Sequence, residues 1–159
     1  MSTFKNQKMI IILSWTVVLL WLVLIFSLSA QPAEQSDGLS KKVTEVIIET
    51  VERVVDLDSE KSETDLVEEL NRLVRKYAHF SSYLVLGLLV INAFSRSKVI
   101  GFKAFTFSFM FCILYAISDE VHQLFVPGRG AQVTDVLIDS FGAFVGIGMY
   151  GVVGKIRRS

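Results

Sequence analysis

Four long apolar runs, separated by polar stretches, dominate the hydrophobic pattern of this chain. One run of twenty residues contains no charged residue and a second contains a single lysine. Of two runs of eighteen residues, one contains a single histidine and the other a single aspartate. About twenty apolar residues in a helix cross a hydrocarbon core of about 30 Å, and the runs lack the regular polar positions of a soluble bundle. The pattern predicts an all-α polytopic membrane protein, a single domain whose four transmembrane helices form a bundle, at residues 9–28, 77–94, 99–118 and 136–153.

The first apolar run shares features with a cleaved signal peptide, because two lysines precede it and the residues Ser-Leu-Ser-Ala follow its core. The apolar region of a signal peptide is usually about 7–15 residues long, and this run has twenty. We therefore expect the segment to remain attached as a membrane anchor.

The distribution of charge predicts the orientation of the bundle. If both termini are cytoplasmic, all sixteen acidic residues lie on the external side, and the cytoplasmic segments carry eight basic residues and no acid. Short cytoplasmic segments of membrane proteins are enriched in lysine and arginine. The N-in, C-in orientation is therefore predicted, with these cytoplasmic cations: Lys5, Lys8, Arg96, Lys98, Lys103, Lys155, Arg157 and Arg158.

A long external loop, residues 30–76, follows the first span in this orientation. Between Leu39 and Val54, apolar residues recur at helical spacing with Lys and Glu between them, and a second pattern of this kind follows a capping sequence that starts at Ser62. We predict two amphipathic helices that lie on the membrane or on the mouth of the bundle. A lid or a partner-binding surface is the less favoured alternative.

Composition narrows the function classes only slightly. The 16 basic and 16 acidic residues balance to a formal net charge of zero, so the chain lacks the basic excess typical of nucleic-acid binding. The single cysteine, Cys112, excludes an intrachain disulfide.

Ionisable residues gather next to three of the spans, in RKYAHFSSY (75–83), SDEVHQLFVPGR (118–129) and the pair Asp135 and Asp139. The predicted topology places all three groups at the external end of the bundle. Ionisable groups at membrane depth are costly, so they tend to face the bundle interior and to mark function. We expect convergence on one polar cavity, with three anion-binding residues, Arg75, Lys76 and Arg129, and with these catalytic candidates: His79, Asp119, Glu120, His122, Gln123, Asp135 and Asp139.

Several chemistries are compatible with this set. A carboxylate beside a histidine orients the imidazole and raises its basicity, as a general base requires. The spacing matches no dedicated metal motif such as H-E-x-x-H, so we predict no cofactor, and a divalent metal ion is the less favoured alternative. A purely structural network between the helices is the other alternative; a substrate or ligand site is favoured over it because polar pairs between membrane helices contribute only about 0.6–2 kcal/mol each.

Two glycine-containing segments predict local geometry. In Val-Pro-Gly-Arg, proline presets φ and the following Gly128 permits a positive φ, which favours a type II turn that ends the third helix. In the fourth span, Gly142 and Gly146 form a G-x-x-x-G pair on one face, where another helix can approach closely. Gly87 in the second span is the candidate for the opposing surface.

The three polar motifs, in this order across membrane spans, resemble those of the VanZ-like family of bacterial membrane proteins over residues 75–146. The resemblance implies a multi-pass protein of the bacterial plasma membrane that affects susceptibility to glycopeptide antibiotics of the teicoplanin type. The expected partners are membrane lipids together with a lipid-linked cell-wall precursor or the drug itself. Two alternatives stay open: a membrane-embedded hydrolase or transferase acting on lipid-phosphate or cell-wall precursors, and a non-catalytic lipid- or partner-binding protein.

Overall fold

A computed structural model of the chain describes residues 2–31 and 63–156, with side chains at 5–31 and 72–154. Four helices and no strand occur in these ranges. Helix α1 covers Ser2–Ser29, α2 covers Glu63–Arg96, α3 covers Gly101–Gln123 and α4 covers Val133–Ile156. The amphipathic helix predicted between Leu39 and Val54 falls outside the described residues.

Each helix contains a segment of 22–25 residues that is long and apolar enough to cross a membrane. Many large apolar side chains on these segments point away from the protein; Leu20 is 65% exposed and Phe102 is 81% exposed. Such surfaces are stable against lipid but would be costly against water. The prediction of an all-α membrane protein with four spanning helices is confirmed.

All four helices extend past at least one end of the predicted spans, and three of these extensions include residues of the polar motifs. Helix α2 begins at Glu63 rather than Tyr77, so the second amphipathic segment is the first part of the spanning helix and is not a separate element on the membrane surface. The segment contains no glycine or proline before Gly87, so nothing interrupts the helix. Its 34 residues measure about 51 Å, which exceeds the hydrocarbon thickness of about 30 Å. Helix α3 similarly continues past Ser118 to Gln123.

The closest helix contact joins α2 to α4 through glycines. A side-chain β-carbon at Gly142 would collide with the backbone carbonyl of Phe80, and one at Gly146 with the carbonyl of Leu84. On the opposite face of the contact, a β-carbon at Gly87 would collide with the carbonyl of Ala143. Glycine alone allows this approach, so the predicted G-x-x-x-G packing surface and its partner Gly87 are confirmed, within one chain.

Helix α1 is held against the bundle by aromatic residues to which the sequence pattern assigned no role. Trp21 donates from Nε1 to the carbonyl of Ser82 at 2.9 Å, and Trp15 donates from Nε1 to Ser97 Oγ at 3.2 Å. Tyr115 on α3 donates from its hydroxyl to the carbonyl of Leu22 at 2.6 Å. In an apolar environment these donors need a partner, so they specify where α1 packs.

The connection between α3 and α4 contains the predicted turn. Gly128 has a φ of 76°, and the backbone N–H of Arg129 donates to the carbonyl of Val126 at 3.1 Å. The positive φ follows Pro127 at the third position of the turn, as in a type II turn. The turn places Arg129 at the end of the bundle where α2 and α4 begin.

Candidate functional site

A polar cavity of about 280 Å³ lies at this end of the bundle, between the start of α2, the end of α3 and the start of α4. Four basic side chains line it: Arg72, Arg75, Lys76 and Arg129. The other polar side chains in its lining are His79, Gln123, Gln132, Asp135 and Asp139. The structure thus brings together seven of the ten residues that the sequence singled out, from all three polar motifs.

The basic residues of α2 share one helix face. Arg72, Arg75, Lys76 and His79 follow each other at spacings of three, one and three residues, which positions all four on the same side of a helix. The sequence analysis missed Arg72. The i, i+4 relation between Arg72 and Lys76 is the signal that would have identified it.

His79 and Asp139 face each other across α2 and α4, at a distance that makes an ion pair when the imidazole is protonated. The imidazole Nδ1 lies 3.6 Å from Asp139 Oδ2, and Asp139 is fully buried. The pair lies directly beside the glycine contact, since Gly142 is one turn beyond Asp139 and packs on Phe80, the residue after His79. The close approach of the two helices therefore positions the histidine and the carboxylate together.

Asp119 on α3 completes a group of three with this pair. One ligand atom each from His79, Asp119 and Asp139 lies within 4.8 Å of the others. Asp119 is only 3% exposed and is not one of the residues that line the cavity. Next to it, Gln123 Nε2 donates to Ser29 Oγ at 2.9 Å. The hydrophobic pattern offered no signal for Ser29, the last residue of α1.

Glu120 and His122 do not line the cavity. Glu120 is 3% exposed, and its Oε2 accepts a hydrogen bond from the backbone N–H of Gln132 at 2.8 Å, so it ties the end of α3 to the start of α4. The ring of His122 packs against Phe26 of α1 in a tilted arrangement, at a centroid distance of 4.4 Å. On a helix, Glu120 points about 100° away from Asp119, and this rotation separates the two adjacent acids.

These observations define the class of the protein: an integral membrane bundle of four helices with a charged cavity at one end. Comparison with protein-family models is more specific, because residues 14–154 match the model of the VanZ/LLP1 family. The chain belongs to this family. The match includes most of the first span and is therefore longer than the resemblance carried by the three motifs. Searches of curated proteins and of solved structures returned no match.

Proposed function

We propose that this VanZ-like protein acts at the outer face of a bacterial plasma membrane, where it binds a phosphate-bearing lipid or lipid-linked cell-wall precursor and lowers susceptibility to glycopeptide antibiotics of the teicoplanin type. Family membership supports the link to the drug class. We infer the binding site from the cavity itself, because four basic side chains line this small polar space.

The size and charge of the cavity favour an anionic head group over the drug. Arginine and lysine bind phosphate through charge-assisted hydrogen bonds, and arginine can do so with two parallel bonds. A volume of about 280 Å³ lies at the lower limit of pockets that enclose a drug-sized molecule, about 300–1,000 Å³. A phosphate or diphosphate group fits this space, whereas a glycopeptide would have to bind outside it.

Substitution of Arg129 by alanine tests this proposal. In a susceptible bacterial host that lacks the protein, expression of the unmodified chain should raise the minimal inhibitory concentration of teicoplanin, and Arg129→Ala should abolish the rise because the anion loses one of its ligands. The matched control is Lys103→Ala, which removes a cation from an exposed position at the other end of α3.

Membrane content of both variants should be measured by immunoblot beside the drug assay. A rise in resistance that is unchanged by Arg129→Ala at equal membrane content would contradict the proposed site. No rise with the unmodified chain would contradict the link to glycopeptides.

The proposed orientation is tested separately by cysteine labelling in intact cells. A cysteine at Gly130, which is exposed and has room for a β-carbon, should react with an impermeant maleimide. A cysteine at the exposed Lys98 in the α2–α3 connection should react only after the cells are permeabilised. The parent chain is the control, because its Cys112 is buried. The reverse labelling pattern would place the cavity in the cytoplasm and exclude a role at the outer face.

A second candidate function is hydrolysis or transfer on the same lipid-phosphate ligand, favoured by the His79–Asp139 pair in the cavity. Asp139 faces Nδ1 of the imidazole, which favours the tautomer with a basic Nε2. Arg129 would hold the anion while His79 takes a proton from the attacking water. The water oxygen would bond to the terminal phosphorus as the bond from that phosphorus to the bridging oxygen breaks, and the polyprenyl phosphate would leave. Purified protein in detergent should then release inorganic phosphate from a polyprenyl diphosphate, and His79→Gln should stop the release. Binding of that lipid without release favours the non-catalytic role.

A further inference from the structure

We infer that His79, Asp119 and Asp139 form a binding site for one divalent transition-metal ion, Mn²⁺ or Zn²⁺, at the base of the cavity. The three side chains come from α2, α3 and α4, and one ligand atom from each lies within 4.8 Å of the others. Atoms that bind one ion at about 2.0–2.2 Å must lie within about twice that distance of each other. The limit of 4.8 Å is slightly longer than that, so the side chains would have to move closer together when they bind the ion.

The oxygens of Asp119 and Asp139 are buried without hydrogen-bond partners in the part of the chain that the structure describes and are therefore suited to bind a cation. Both side chains are at least 97% buried, at 3% and 0% exposure. No oxygen of either carboxylate has a hydrogen-bond partner of good geometry among the described residues. The Ser29 hydroxyl and the Gln123 amide lie beside Asp119, and Gln123 Nε2 donates to Ser29 Oγ. The Ser29 O–H and the second amide hydrogen are left to face the carboxylate, but neither group meets hydrogen-bond geometry with it. Buried polar atoms normally have a partner, and a metal ion would supply one to both acids.

Charge balance favours a divalent ion at this point. Two carboxylates that face one imidazole at membrane depth bring up to two negative charges into a poorly solvated environment, where unpaired charge is expensive. A single proton on His79 compensates one of these charges. A divalent cation compensates both and leaves the imidazole neutral, which is the form that binds metals.

The donor set selects the kind of ion. One imidazole nitrogen and two carboxylates are ligands that Zn²⁺ and Mn²⁺ accept, with the remaining positions open toward the cavity. Ca²⁺ requires six to eight oxygen ligands, and Mg²⁺ retains several waters in a strict octahedron, so a compact site that includes nitrogen suits both of them poorly. The open positions would face the basic residues of the cavity, where an anion could complete the coordination of the metal.

The inference is tested on the purified, tag-free chain in detergent after treatment with EDTA and its removal. Isothermal titration with MnCl₂ and with ZnCl₂ should show one ion per chain for at least one of them, and saturation should raise the unfolding temperature. Asp119→Asn and Asp139→Asn keep the shape of each side chain and remove its charge. Each should weaken binding by at least about tenfold, since loss of even an outer-shell partner weakens metal sites by about 10–100-fold.

Lys103→Ala is the control, because Lys103 is exposed at the other end of α3 and belongs neither to the cavity lining nor to the three-residue group; this variant should bind the ion as the parent chain does. Either aspartate variant is sufficient for the test if the other fails to fold. Absence of one-to-one binding by the parent chain, or equal affinity in a folded Asp119→Asn or Asp139→Asn variant, would overturn the site. The test measures metal binding and does not use a drug assay. Its result therefore does not depend on whether the proposed function is correct.

Discussion

The substitution Gly146→Leu is expected to prevent most of the protein from folding in the membrane. A β-carbon at this position would collide with the Leu84 carbonyl and would lie 3.2 Å from the backbone nitrogen of Leu88. Backbone atoms cannot rotate away as a side chain can, so α2 and α4 would have to separate along their closest contact. We expect a loss of about 3 kcal/mol or more in the free energy of unfolding, at the upper end of the range for overpacked cores. Yield after detergent extraction and unfolding temperature provide the measurement.

Gly148→Leu is the matched control for this substitution. Gly148 lies on the same helix, is exposed, and has no atom within 4 Å of an added β-carbon. Leucine there would face lipid, where it is a favourable residue, so folding should be unaffected. Equal loss of folded protein in both variants would mean that apolar bulk anywhere on α4 is harmful, and the close α2–α4 contact would not be its cause.

His79→Leu is expected to destabilise the bundle strongly, whatever the function of the cavity. The substitution leaves the fully buried Asp139 without its imidazole partner and next to a second buried carboxylate, Asp119. Removal of one member of a buried ion pair typically costs about 3–5 kcal/mol, because the remaining charge has lost its compensation. The measurement is thermal or denaturant unfolding in detergent with EDTA present, so that the change reports on the protein groups alone.

The double variant His79→Leu with Asp139→Leu should recover most of that loss. Apolar residues in place of both partners remove the uncompensated charge of Asp139, although Asp119 stays, and such replacements are often neutral or stabilising. A double-mutant cycle isolates the coupling between the two side chains. If the double variant is as unstable as the sum of the single ones, the two groups do not interact and the pair has no role in positioning α2 against α4.

The His79–Asp139 pair therefore connects stability with the proposed function. Both residues line the cavity, and both belong to the three-residue group that also contains Asp119. A double variant without either charge could be more stable than the parent chain and still lack the drug phenotype. Binding sites often keep polar groups that lower the stability of the fold, because function requires them.

The architecture of this protein follows largely from its sequence. The four spans are determined by apolar runs whose length matches a bilayer, and this signal is local to each segment. The turn at Gly128 and the packing face of Gly142 and Gly146 follow for the same reason, because proline presets the backbone and glycine alone permits it to approach another chain segment closely. The clustering of polar motifs at one end of the bundle follows from the number of spans and their alternating direction.

The tertiary structure decided which of these polar residues meet. Asp119 and Glu120 are adjacent acids, yet one faces His79 and Asp139 while the other accepts a backbone N–H of the loop. The difference arises from the rotation of α3 against its neighbours, which no pattern within α3 specifies. For the same reason the contacts of Trp15, Trp21 and Ser29 were not predictable, since each partner is supplied by a helix distant in sequence. Sequence determined the helices and the end at which the charges lie, whereas helix packing selected the three side chains that share one site.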